Sequence, residues 1–299
     1  MVGQSWSIRL ETEGVTIGYE TALTEICGAL ALSVSRPYLD APYWVVEGFF
    51  DEAPDEALTK QALQAASENG IAPSFEIIDH GNRDWLAENR ASFPALHIGR
   101  FWVHGAHIKE TPPLGAKKLH VEAAEAFGSG THPTTEGCLR ALDNLLAKKS
   151  VRSVLDLGAG SAILAMAVAK LQPHVKIIAA DIDPIATRTA SDNRRLNHIA
   201  PRMMSCVTSK GFAHRKLHQA APYDLLIANI LAGPLKALSG DIRRHLSSDG
   251  CLILSGLLID QEPQIISSYR ARGLVVRKKI HIDEWSCLVL THASYKGVI

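Results

Sequence analysis

Three stretches of this chain end an apolar run in residues able to do chemistry. VLDLGAGSAILA (154–165) runs into Gly158-Ala159-Gly160. Glycines let the backbone come close to a ligand, and a helix opening at Ser161 would offer free N–H groups. IIAADIDP (177–184) delivers Asp181 to the tip of a second run, 21 residues beyond Gly160. At that spacing an acid reaches a pair of ribose hydroxyls, and two ionised oxygens accept from both. Asp183 and Pro184 then read as the N-cap and first residue of the next helix. DLLIANILAGPL (224–235) ends its run in Asn229, whose amide oxygen accepts a hydrogen bond from an incoming amine, and Gly233-Pro234 open another helix. A fourth stretch, AFGSGTHPTTEGCLRAL (126–142), is a Gly/Thr-rich loop ahead of an amphipathic helix. It reads equally as a helix start, with Thr131 as cap and Pro133 in the first turn, and as a lid over a ligand. In the lid reading Thr135 offers the ligand a hydroxyl.

The elements around these stretches put three of the tips in one place. From residue 119, strand candidates 153–157, 176–181, 202–209, 223–228, 251–256, 274–280 and 286–292 alternate with helical patterns at 134–148, 161–171, 184–197, 233–247 and 260–272. Such alternation means a mainly parallel, doubly wound α/β sheet, with ligands bound beyond the carboxyl ends of its strands. Only HIDEW separates the last two strands, so they should pair as an antiparallel hairpin at one side.

Residues 1–82 follow a different order. WSIRLET alternates like a strand, and from Glu20 the apolar positions Ala22, Leu23, Ile26, Ala29 and Leu30 recur at helical spacing. Strands LALSVS and YWVVEGFF follow. A second helix, DEALTKQALQAASENG, puts Leu58, Ala62, Leu63 and Ala66 on one face, and APSFEIID closes as a strand. The order βαββαβ is that of a ferredoxin-like α+β unit without a catalytic signature. Residues 83–118 read as an interdomain linker whose Trp85, Phe93 and Trp102 are packing anchors. Residues 119–299 are the domain carrying the site.

Composition narrows the function. Of 299 residues 46% are hydrophobic and 21% charged, enough to build a core. The 31 basic residues balance 31 acidic ones, so no global field draws the chain to nucleic acid or an anionic membrane, although a local basic patch stays possible. Cys27, Cys138, Cys206, Cys251 and Cys287 form no CxxC, and the 13 histidines show no metal-ligand spacing, so neither a disulfide framework nor a metal site is expected. MVGQSWSIRLETEG lacks a basic region followed by an apolar core, and no apolar run reaches the roughly 18 residues of a membrane span. The expectation is a cytoplasmic protein with reduced thiols. A monomer is expected because the core assignments leave no apolar stripe over.

The dinucleotide fingerprint needs a small residue at position 163, and this chain has Ile163. Asp156 instead makes D-x-G-x-G, the usual mark of S-adenosylmethionine-dependent methyltransferases, although it also reads as a turn-capping carboxylate. FGSGTHPTT, DLGAGSAIL, DIDP and NILAGPL, in this order and spacing, resemble the bacterial ribosomal protein L11 methyltransferase family. RDWLAENRASFPALHIGRFWV extends the resemblance to nearly the whole chain. It implies a seven-stranded Rossmann-like methyltransferase domain behind a small domain that docks the ribosomal protein. It implies S-adenosylmethionine contacts at Thr135, Gly158, Gly160, Asp181 and Asn229, with Phe127 and Gly128 beside them, and a catalytic role for Asn229. It further implies methylation of lysine side chains and the N-terminal amine of L11, with no direct nucleic-acid binding required. The family usually has Gly where this chain has Ala162, and Thr where it has Ser129. Alanine is expected to favour the helix starting there and to change cofactor affinity modestly. Two alternatives stay open: a lysine methyltransferase acting on another protein, and a cofactor-binding scaffold without activity. A glutamine-modifying enzyme would be expected to carry an N-P-P-Y box, where this chain has NILA.

Overall fold

The structure, a computed structural model, describes residues 5–13, 16–35, 42–67, 69–81, 95–106, 108–121 and 133–297. The chain divides into two units, Met1–Asn89 and Arg90–Ile299.

In the first unit, strands β1 (Ser5–Thr12), β2 (Ala31–Ser35), β3 (Trp44–Phe50) and β4 (Phe75–Gly81) form an antiparallel sheet in the order β2-β3-β1-β4. Helix α1 (Ile17–Thr21) runs on into a π turn, Ala22–Ile26, and helix α2 (Glu56–Ala66) lies between β3 and β4 in sequence. Asp55 starts α2 by accepting the N–H groups of Ala57 and Leu58 at 2.8 and 3.0 Å. Strand alternation turns Ile8 and Leu10 inward onto Leu23, Val46, Ala62 and Leu63. The expected apolar faces are only partly right. Ile26 is 51% exposed because the π turn breaks the 3.6-residue period, Leu30 is 69% exposed because it lies beyond the end of that turn, and Leu58 is 42% exposed while Thr59 takes the inward position. With Val34 and Ile71, five large apolar side chains of this unit stand exposed, so the ground for expecting a monomer falls away.

The second unit begins inside the segment expected as a linker. Strands β5 (Leu96–Ile98), β6 (Phe101–His104) and β7 (Lys117–His120) form a three-stranded sheet. Its residues Ile98, Phe101, Val103 and Leu119 join the core of the large sheet. Phe101, fully buried, is the anchor here, whereas Trp102 is half-buried. Trp85 and Phe93 lie outside the described residues. Helix α3 (Pro133–Leu146) is tied to the β5–β6 turn by Arg100, which pairs with the Asp143 carboxylate and donates to its carbonyl at 2.7 Å.

Alternation then proceeds as β8 (Ser153–Leu157), α4 (Ile163–Leu171), β9 (Lys176–Asp181), α5 (Pro184–Leu196), β10 (Met204–Thr208), α6 (Arg215–Ala220), β11 (Tyr223–Asn229), α7 (Ala232–His245), β12 (Leu246–Leu258), α8 (Glu262–Arg270), β13 (Leu274–Ile282) and β14 (Trp285–His292). The seven strands lie in the order β10-β9-β8-β11-β12-β14-β13. The first five are parallel, and β14 inserts antiparallel between β12 and β13, pairing with β13 as the expected hairpin. Two apolar layers cover the sheet. Side chains of α3, α4 and α5 pack with Val154, Ile177, Ala179, Leu225 and Ile227 on one face. Those of α6, α7 and α8 pack with Leu155, Ala180, Leu226 and Ala228 on the other. Among the described residues no helix is long and apolar enough to cross a membrane.

Candidate active site

Strand order reverses between β8 and β11, which opens a crevice beyond their carboxyl ends. The period of two decides what faces it. Val154, Ala179 and Ile227 all point toward α3 and α4, so Asp156, Asp181 and Asn229, two residues further along their strands, emerge on that same face. Three polar tips predicted from separate stretches thus converge.

The glycine loop behaves differently from expectation. Its amides do not point free into the crevice. Gly158 and Ala159 both donate to the carbonyl of Ala180, at 2.8 and 3.0 Å, and Gly160 donates to Asp181 Oδ2 at 2.8 Å. A pyrophosphate needs such N–H groups, so the loop suits a cationic or neutral ligand better than a dinucleotide. What the loop does offer is proximity. Gly158 has φ +72°, and a β-carbon there would lie 2.2 Å from Ile230 Cγ2. The helix opens at Ile163 and not at Ser161, with Ala162 as its N-cap at φ 62°. This corrects the expectation that alanine suits the position as a helix former. It sits in the left-handed region, at a cost of about 1–2 kcal/mol that glycine would avoid.

Asp156 is fully buried, and its Oδ2 accepts the Ala165 N–H in the first turn of α4 at 2.9 Å. It therefore acts as the capping carboxylate, joining β8 to α4. Burial pushes its pKa up to about 7, with the charge of Asp181 adding to the rise and the Ala165 N–H opposing it. A folded-state pKa above the unfolded value means that stability is full below about pH 4 and is lost as pH rises through about 7. Asp156→Asn keeps an oxygen for Ala165 and removes the charge. In urea titrations of the cofactor-free protein the variant should match the parent near pH 4 and exceed it by roughly 4 kcal/mol near pH 8. A difference that does not grow with pH would refute a charged Asp156 at high pH.

Asp181 divides its carboxylate. Oδ2 holds Gly160, and Oδ1 accepts the Asp183 N–H at 3.0 Å, which leaves one lone pair on each oxygen. Asp183 is the N-cap of α5, accepting from Ile185 N at 2.8 Å with Pro184 behind it, as the sequence suggested. Ile182, between the two acids, is 64% exposed.

The third tip is clamped from two sides. Asn229 Nδ2 donates to Thr134 Oγ1 at 3.3 Å, which turns the amide oxygen away from α3. The next residue, Ile230, donates its N–H to the Ser255 carbonyl at 3.2 Å. Gly256, at φ +81°, passes so close that a β-carbon would lie 2.5 Å from the Ile230 carbonyl oxygen. The Ser255 hydroxyl is held at 3.3 Å from the Thr134 carbonyl and 3.2 Å from that of Ser286. Sequence reading missed Thr134, Ser255 and Gly256. The Thr-Thr pair pointed to α3, and the glycine of LSGLL marked the close approach. Phe127 and Gly128 lie outside the described residues.

The polar atoms left over test whether the crevice fits S-adenosylmethionine. Asn229 Oδ1, Thr135 Oγ1 and Asp156 Oδ1 are buried with no hydrogen-bond partner among the described residues, and the Asp181 carboxylate keeps room for a hydroxyl pair. Buried oxygens without partners are costly, so they mark places where a ligand's donors belong. A ribose with two hydroxyls matches the Asp181 carboxylate and the ammonium of an amino acid moiety matches the Thr135 hydroxyl, which leaves Asn229 Oδ1 for a further N–H donor.

Known proteins point the same way. The family model "Ribosomal protein L11 methyltransferase (PrmA)" matches residues 10–293. A curated relative named ribosomal protein L11 methyltransferase, from Bradyrhizobium diazoefficiens, is 40% identical over 247 residues, 83% of each chain. One of the same name from Brucella abortus is 38% identical over 274 residues, 92% of this chain and 90% of its own. Among solved structures, a ribosomal protein L11 methylase from Lactobacillus delbrueckii subsp. bulgaricus aligns with a TM-score of 0.60 at 25% identity, covering 67% of this chain and 99% of that one. With its motifs at converging strand tips and a family match over nearly its full length, the chain belongs to the ribosomal protein L11 methyltransferase family.

Proposed function

We propose that this chain methylates amino groups of ribosomal protein L11, on lysine side chains and the N-terminal amine, using S-adenosylmethionine. The observation that carries the reading is the buried Asn229 Oδ1, without a partner among the described residues, on the same face as Asp181 in a member of this family. The sulfonium of the cofactor, when bound, supplies an activated methyl group. The protein's own work is positioning. The Asp181 carboxylate takes the ribose hydroxyls through its remaining lone pairs. The Thr135 hydroxyl and the loop of Gly158 and Gly160 take the amino acid end. Asn229 Oδ1 accepts an N–H of the incoming amine, with Thr134 fixing which end of the amide faces it. A lysine of pKa about 10.4 is mostly protonated at neutral pH, so the neutral amine must be favoured. Apolar surface from Ile182 and Leu231, 64% and 69% exposed beside the two tips, and the cofactor's positive charge both lower the amine's pKa. The proton leaves to water.

Residues 1–82 we read as a ferredoxin-like domain that docks the substrate. The element order and the sheet order β2-β3-β1-β4 support this fold, and the exposed Ile26, Leu30, Val34, Leu58 and Ile71 supply apolar surface of the kind a protein partner covers. Five free cysteines fit the reducing cytoplasm. Incubation with radiolabelled S-adenosylmethionine and ribosomal proteins from a strain lacking such an enzyme tests the reading. Label confined to L11 is the expected result. Label on other proteins would keep the methyltransferase and discard the substrate, and no label with cofactor bound would indicate a scaffold.

A further inference from the structure

The neutral balance of the whole chain hides a local excess. Between Pro184 and Lys216 stand seven Lys and Arg residues and one acid, Asp192. That acid pairs with Arg195. Along this stretch α5, the edge strand β10 and the start of α6 enclose a groove of about 610 Å³. Arg188, Arg194 and Lys216 line it together with four hydroxyl side chains, Ser191 and Thr208 among them, and among the described residues no carboxylate does. Arg188 and Lys216 are exposed and make no ion pair among the described residues. Arg194 places Nη1 3.3 Å from the Met204 carbonyl, while its Nε–H has no partner among the described residues.

A bland reading is that these charges guard the sheet edge against pairing. Guards sit on the edge strand itself, and β10 reads MSCVT, without a charge. The cations come instead from the two helices beside it. Arg188 and Arg194 are six residues apart on α5, about 9 Å along the axis, wider than a single phosphate and suited to successive phosphates of a strand. Among the described residues no aromatic side chain lines the groove, so a nucleic acid would be held by its backbone and not by its bases.

We propose that this groove binds the phosphates of an RNA strand without sequence preference. The choice of RNA rests on the proposed function, since a ribosomal protein is met beside ribosomal RNA. The site adds to substrate encounter and stays outside the methyl-transfer machinery.

Fluorescence anisotropy of the full-length protein with a short fluorescein-labelled single-stranded RNA, over a series of salt concentrations, tests this. Three phosphate contacts predict a slope of log affinity against log salt of about −2. Arg188→Glu/Lys216→Glu should weaken binding at least roughly tenfold and flatten the slope by about 1 or more. The same variant should methylate purified L11 at the parental rate when RNA is absent. No binding by the parent, or binding that the variant leaves unchanged, would overturn the proposal. Displacement by inorganic phosphate at matched phosphate concentration would make the groove a small-anion site and also overturn it. Failure of the parent to methylate L11, with RNA binding intact and variant-sensitive, would instead sink the proposed function and leave the groove standing.

Discussion

Asp181→Ala is expected to weaken S-adenosylmethionine binding roughly 10²- to 10⁴-fold. The ribose hydroxyls would lose two hydrogen bonds to a charged acceptor, each worth about 1.5–3 kcal/mol. The same substitution frees the N–H groups of Gly160 and Asp183, so the loop that must approach the cofactor loses its tie to β9. That adds about 1–3 kcal/mol of lost stability. Asp181→Asn keeps one oxygen and loses the charge, so it should fall between parent and alanine variant. Calorimetric titration of the cofactor into each folded variant measures the effect. Parental affinity in Asp181→Ala would remove this residue from the site.

The second large effect is on turnover. Asn229→Ala should slow methyl transfer about 10²-fold, the scale of a reactant misplaced by about 1 Å, with a smaller change in cofactor affinity. Thr134 and the Ser255–Ile230 contact remain to hold the backbone, so the loss would be one of alignment. Asn229→Asp separates alignment from charge. A carboxylate beside the amine favours its protonated, unreactive form, so the rate should rise only at higher pH than in the parent. A pH–rate profile for the two variants checks both statements. Normal turnover in Asn229→Ala would end the role assigned to this amide.

The tips of β8, β9 and β11 were legible because each apolar run stops at a polar residue, and period-two alternation then fixes the face it meets. Asp183 and Pro184 were legible for a similar reason, since their types alone dictate an N-cap. The direction of an amide is not written in residue type. Nothing in Gly-Ala-Gly says that its N–H groups turn back onto Ala180 and Asp181, or that Ala162 takes a left-handed conformation. Short elements also escaped. Strands β5, β6 and β7 are three or four residues each, and α6 is six, too few to show a period. Thr135 was singled out for its hydroxyl, yet its neighbour Thr134 makes the observed contact with Asn229, because the register of α3 against β11 is a tertiary fact. The groove beside β10 was invisible to composition, since a chain with 31 charges of each sign conceals a cluster of seven.

The central claim is that this crevice transfers methyl groups onto amines of L11. Incubation of purified L11 with the protein and S-adenosylmethionine, followed by intact mass measurement and peptide mapping, tests it most directly. Whole methyl increments confined to lysine side chains and the N-terminal amine, formed far more slowly by Asn229→Ala, are the predicted result. Methyl groups on amide or carboxylate side chains, or an unchanged mass with the cofactor demonstrably bound, would contradict it.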